Sequence, residues 1–155
     1  MKRLLLVSLL CGLAPVAAAT EPGAPVPLDQ SWAPISLSPV GVPEVLGGWL
    51  KEHLPQVLVL DVREPDEFRG ELGHIAGAEL SPLQALAARA AALPRERPVV
   101  SVCRSGGRSG KAALSLLGAA FARVASLAGG MTAWNAQGLP VEYGAEPSHR
   151  PGRQG

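Results

Sequence analysis

The sequence predicts an α/β domain built on a parallel central sheet with helices on both faces. Two short runs of mostly branched apolar residues, Val57-Leu58-Val59-Leu60 and Val99-Val100-Ser101-Val102, read as strands covered on both sides. Segments of helical length and composition separate the strand-like runs, the arrangement that makes neighbouring strands parallel. Asp61 and Cys103 stand just beyond the two runs, at the carboxyl ends where such sheets bind ligands.

Taken in order, Pro43 to about His53 is expected to be a helix with Val45, Leu46, Trp49 and Leu50 on one face. The strand Val57–Leu60 then closes on Asp61-Val62-Arg63. Pro65-Asp66-Glu67-Phe68 opens a helical turn, with proline early and acids near its N-terminus. Ala78-Glu79-Leu80 is a short strand and Pro82 to about Leu93 a helix. The strand Val99–Val102 leads through a glycine-rich turn into a helix over Gly110–Leu117. Phe121–Ser126 is the next strand. Gly129-Gly130 introduces a last helix around Met131–Gln137, stopped by Gly138 and Pro140.

The termini read differently. Lys2-Arg3, the leucine-rich stretch from Leu4 to about Val16, and Ala17-Ala18-Ala19 have the order of a cleaved signal peptide, with the cut expected before Thr20. The apolar run falls short of the ~20 residues of a membrane span. The expected destination is therefore export, into a bacterial periplasm. Residues 1–19 are assigned to the signal peptide, 20–38 to a flexible Pro-rich lead-in, 39–144 to the domain and 145–155 to a flexible tail. Cleavage would remove Lys2 and Arg3, leaving 12 basic against 13 acidic residues and a net charge of −1. Such a chain has no basic field for nucleic acid or anionic lipid. It would also lose Cys11, making Cys103 the lone cysteine and excluding an internal disulfide.

Cys103-Arg104-Ser105-Gly106-Gly107-Arg108-Ser109 carries the chemistry. Glycines let a backbone turn until several N–H groups share one concavity. A thiol there would feel those groups, the dipole of the following helix and two guanidinium groups, all favouring thiolate. Arg104 and Arg108 are candidate anion binders, with Ser105, Gly106 and Gly107 lining the cradle. Ser109 either caps the helix or donates to bound sulfur. Asp61 and Arg63 read as a structural pair beneath the loop, His74 as a loop staple, and Trp49 and Trp134 as core. No cofactor is expected, and no His/Cys/acid cluster has metal-ligand spacing.

These residues resemble the rhodanese homology domain, a family of single-domain sulfurtransferases. The likeness runs from about Pro39 to Tyr143 through motifs in family order. They are Leu60-Asp61-Val62-Arg63-Glu64, then Glu67-Phe68 with Gly73-His74-Ile75-Ala76-Gly77-Ala78, then Cys103–Ser109, and finally Gly129-Gly130-Met131 with Trp134 and Gly138-Leu139-Pro140-Val141. Ala76 departs from a common family proline and touches no chemistry. The resemblance implies that Cys103 takes sulfane sulfur from thiosulfate or a related donor, forming a persulfide, and passes it to cyanide or a thiol. The partners implied are small sulfur anions and thiophilic acceptors, with a thiol-bearing protein partner left open.

Two look-alikes fail on spacing. Cysteine phosphatases resemble a C-x5-R loop, which would put arginine where Ser109 stands; Arg108 makes this loop one residue shorter. A nucleotide-binding P-loop ending at Gly110-Lys111 would need Gly at 105 and Ser or Thr at 112, where the chain has Ser105 and Ala112. Two other functions compete with sulfurtransferase activity: a persulfide carrier serving a dedicated partner, and a redox-sensing thiol, the latter disfavoured by the lack of a resolving cysteine.

Overall fold

Strand-forming residues set the frame of the computed structural model, which describes Trp32 and residues 36–144. The expected signal peptide, most of the lead-in and the tail lie outside the described residues. Among the described residues, six strands line up in the order β1-β2-β6-β5-β3-β4. They are β1 (Ser36–Leu37), β2 (Pro43–Val45), β3 (Leu58–Asp61), β4 (Glu79–Leu80), β5 (Val99–Val102) and β6 (Val124–Leu127). Every pairing is parallel except β1 with β2. In the central pair Leu58 lies opposite Val99 and Asp61 opposite Val102, so Asp61 and Cys103 emerge at the same edge.

Alternation along the strands divides the core into two layers. Val57, Val59, Val100, Val102, Ala125 and Leu127 face one way. Against them pack Leu50 of α1 (Gly47–His53), Phe68 of α2 (Pro65–Phe68), and Met131 and Trp134 of α5 (Gly130–Ala136). Leu58, Leu60, Val62, Val99 and Val124 face the other way. They meet Leu86 of α3 (Leu86–Arg89) and Ala112, Ala113 and Leu116 of α4 (Gly107–Gly118). The expected α/β class, with helices on both faces, is what forms. Among the described residues no helix is long and apolar enough to cross a membrane.

Several boundaries differ from expectation. Pro43–Val45 is a strand rather than the first turn of a helix, because Glu44 and Val45 pair with Ser126 and Leu127. Three residues are too few to display a two-residue period. Ser36–Leu37, assigned to the lead-in, form the antiparallel edge strand and make the sheet mixed. Trp32 also reaches the core, its ring edge-on to Trp49 at 5.8 Å. The helix expected over Pro82–Leu93 breaks into a 3₁₀ turn, α3 and a second 3₁₀ turn. It has no side-chain cap, and short alanines bury too little area to hold one continuous face.

The strand expected from Phe121 starts at Val124, because Ala120-Phe121 finishes α4. Ala120 adopts φ +63°, and the Phe121 N–H donates to Leu116 O at 3.1 Å. This closes the helix with a left-handed residue in the place glycine usually takes.

Candidate active site

Cys103 follows β5 directly and is 1% exposed. The turn after it depends on Gly106, whose φ of +105° few side chains tolerate. That conformation turns the Gly106 N–H onto Cys103 Sγ at 3.1 Å. α4 begins at Gly107, three residues earlier than expected, so Arg108 and Ser109 lie in its first turn. Ser109 is therefore not the helix cap. Its hydroxyl donates to Gly106 O at 3.1 Å, meets Ser126 Oγ at 2.8 Å and stands 3.4 Å from Cys103 Sγ. Ser101, fully buried on β5, places its hydroxyl 2.9 Å from Ser109 O and 3.2 Å from Ala125 O, fastening α4 to the sheet.

Burial alone would push the Cys103 thiol up. Hydrogen bonds from the Ser109 side chain and from the backbone at Ser109, Gly106 and Ser105 outweigh it and hold the thiol below its ordinary value. The shift runs in the expected direction, with short-range hydrogen bonds rather than the two guanidinium groups as its cause.

The two loop arginines diverge. Arg108 grips Glu67 in a fork, with both nitrogen–oxygen distances 2.6 Å. Glu67 in turn accepts the Glu64 N–H at 3.1 Å, closing a capping box at the start of α2. The Arg108 hydrogen bonds are the main reason the Glu67 carboxyl sits at about 2. Arg108 is thus not the free anion binder the sequence suggested. Arg104 is exposed and borders a cavity of about 160 Å³ with Asp66, Glu67 and Glu71. On the opposite flank of the loop, Ser105, Gly106 and Gly107 border a more apolar cavity of about 410 Å³ with Val40, Lys111 and Leu114.

Asp61 and Arg63 form the expected pair beneath the loop. Arg63 Nε and Nη2 bond the carboxylate at 2.9 and 2.7 Å. Its remaining donors reach Gly73 O at 2.8 Å and Glu67 O at 3.1 Å. His74 is the staple anticipated: Nδ1 lies 3.1 Å from Phe68 O and the ring stacks on Phe68 at 3.9 Å.

Sequence reasoning missed part of the site. Nothing in the order of residues links Glu67 to Arg108, 41 positions away. Ser126 did leave a signal, since a serine in a run buried on both faces needs a partner. The sequence marks Gly130 as a helix lead-in and as part of the Gly129-Gly130-Met131 motif, without showing its contact with the loop. A Cβ there would lie 2.4 Å from Cys103 O and 2.7 Å from Arg104 O. Without one, the start of α5 closes on the loop. The Met131 N–H donates to Cys103 O at 2.8 Å, and the Thr132 N–H and hydroxyl donate to Arg104 O, each at 2.9 Å. These bonds draw both carbonyls toward α5, leaving the next N–H groups to serve the sulfur. Among the described residues no group of three His, Cys, Asp or Glu side chains could hold a metal ion.

A buried cysteine whose thiol is held low by hydrogen bonds, in an amide-lined turn at the carboxyl edge of a mostly parallel sheet, is the candidate nucleophile of this α/β domain. The profile described as Rhodanese-like domain matches residues 46–137, and the chain belongs to that family. A sulfurtransferase of Allochromatium vinosum is 39% identical over 85 residues, covering 55% of this chain and 78% of the relative. The crystal structure of a rhodanese-related protein from Thermoplasma volcanium is similar at TM-score 0.59 and 29% identity, covering 65% of this chain and 98% of that one. A thiosulfate sulfurtransferase from Pseudomonas aeruginosa matches at TM-score 0.62 and 27% identity, over 68% of this chain and 21% of its own. Family and relatives together support sulfur transfer or sulfur carriage.

Proposed function

We propose that the protein moves sulfane sulfur through a persulfide on Cys103, with thiosulfate or a related donor and with cyanide or a thiol as acceptor. The observation that carries this reading is the N–H and hydroxyl cradle around Sγ. The thiolate attacks the outer sulfur of the donor. The donor's S–S bond breaks, its electron pair leaves with sulfite when the donor is thiosulfate, and Cys–S–S⁻ remains. An acceptor thiolate or cyanide then attacks the outer sulfur, and the bonding pair returns to Sγ. The hydrogen bonds that hold the Cys103 thiol low favour its ionised form, so the reading assigns no separate general base. Ser105 and Gly106 N–H groups are placed to share the negative charge as it moves outward.

Intact mass after exposure of the full chain to thiosulfate tests this. One added sulfur is expected on the wild type and none on Cys103→Ser. Absence of added sulfur with every small donor tried would sink the proposal. A second reading, persulfide carriage for a partner protein, is favoured by the Arg108–Glu67 pair, which removes one cation from the reception of a small dianion. That reading expects slow turnover with thiosulfate and cyanide but fast exchange with a partner thiol. Export to a periplasm belongs to the same proposal. The N-terminal residue of the protein recovered from its native cell checks it, Thr20 being the expected one.

A further inference from the structure

Ser126, on β6, lies outside the loop and the helix that surround the cysteine. It is fully buried, and its hydroxyl meets Ser109 Oγ at 2.8 Å. Ser109 has one hydroxyl proton and two lone pairs. Around that oxygen stand Cys103 Sγ at 3.4 Å, Gly106 O at 3.1 Å and Ser126 Oγ at 2.8 Å. With the cysteine as a thiol, S–H donates to Ser109 Oγ and Ser109 donates to Gly106 O. With the cysteine as a thiolate, Sγ has no proton and the Ser109 proton must turn to it. Gly106 O loses nothing essential, because it also accepts the Gly110 N–H at 2.9 Å. A donor into the Ser109 oxygen favours the second arrangement, since hydrogen bonds in a chain polarise one another.

We propose that Ser126 is a positioning residue whose hydroxyl donates to Ser109 Oγ and thereby directs the single Ser109 proton onto the Cys103 sulfur. Ser126, Ser109 and Cys103 then form one chain running from the sheet interior to the nucleophile. It has two proton arrangements, one for thiol and one for thiolate or persulfide. The groups that other elements bring to the loop leave this role to the serines. Met131 and Thr132 of α5 are uncharged and engage carbonyls. Arg108 of α4 is bound to Glu67 of α2, and Asp61 and Arg63 neutralise each other below. The inference rests on the sulfur-transfer reading, which supplies the reason a thiolate is wanted.

The test is the pH dependence of Cys103 alkylation by iodoacetamide, followed on the Cys103 peptide by mass spectrometry in the full chain. Ser126→Ala removes one oxygen from the buried site and should raise the midpoint by about half a unit, on the order of a threefold loss of thiolate below it. Ser109→Ala should raise it further, and Ser126→Thr, which keeps the hydroxyl, should restore the wild-type midpoint. The double variant Ser109→Ala/Ser126→Ala should match Ser109→Ala alone, because Ser126 acts through Ser109. An unmoved midpoint in Ser126→Ala, or shifts that add in the double variant, would overturn the proposal. No sulfur donor is present, so failure here is distinct from failure of persulfide formation in the mass experiment above.

Discussion

Arg63 and Arg108 each hold a carboxylate in a two-bond fork, yet the two pairs belong to different physical regimes. Arg63 and Asp61 are two residues apart and 1% exposed on both sides. Arg63 spends its other donors on the carbonyls of Gly73 and Glu67. Arg108 and Glu67 are 41 residues apart, with side chains 35% and 27% exposed. A buried pair is costly to break because the survivor is left as a charge without water. A half-exposed pair contributes little to stability because water and salt replace either partner. The first pair therefore holds the ground on which the loop stands, and the second sets the charge at its mouth.

The sharpest way to break the comparison is Asp61→Asn, which leaves Arg63 buried with a neutral partner. A loss of roughly 3–5 kcal/mol is expected from the urea midpoint, given the usual penalty for orphaning a buried charge. A loss like that of an exposed pair would show the two to be alike. Next come variants at the loop mouth. Arg108→Ala should raise the thiosulfate KM well beyond any change toward an uncharged donor, because it leaves the Glu67 charge facing the loop. Glu67→Gln should lower that KM by freeing Arg108, and equal responses with both donors would remove the electrostatic role.

The Glu67 pair should also show in acid. Its carboxyl lies at about 2 rather than 4.5, so its contribution is complete above pH 4.5 and lost as pH falls toward 2. The stability difference between wild type and Glu67→Gln, no more than about 1 kcal/mol for so exposed a pair, should vanish across that window. Denaturant midpoints taken at intervals of pH measure it. The smallest effect is expected away from both pairs. Ala120→Gly relieves the left-handed residue that ends α4 and should stabilise by about 0.5 kcal/mol, after the entropy of a more flexible unfolded chain is subtracted.

What was legible beforehand follows the range of each interaction. β3 and β5 could be read because a strand buried on both faces must be apolar throughout. Cys103, Gly106 and the local Asp61–Arg63 pair could be read because their partners lie within a few positions. β2 was read as a helix because Val45, Leu46, Trp49 and Leu50 fit a helical period, whereas its pairing with β6 depends on residues about 80 positions away. Glu67, Ser126 and the bonds from α5 escaped for the same reason: each meets the loop or the start of α4 only after the sheet has formed. Arg108 is expected from the sequence to receive an anion, and its pairing with Glu67 was not legible there.

The closure of α5 on the loop also limits how far this site can be transplanted. A graft of residues 103–109 onto another strand–turn–helix would bring the thiol, Gly106 and the first turn of a helix. It would leave behind the Met131 and Thr132 donors that hold the Cys103 and Arg104 carbonyls, and the glycine whose missing side chain admits them. In the recipient those two carbonyls would lack the α5 donors that fix their peptides and, with them, the direction of the N–H groups that follow. The transferable unit is the loop together with the start of a helix that the chain reaches about 25 residues later.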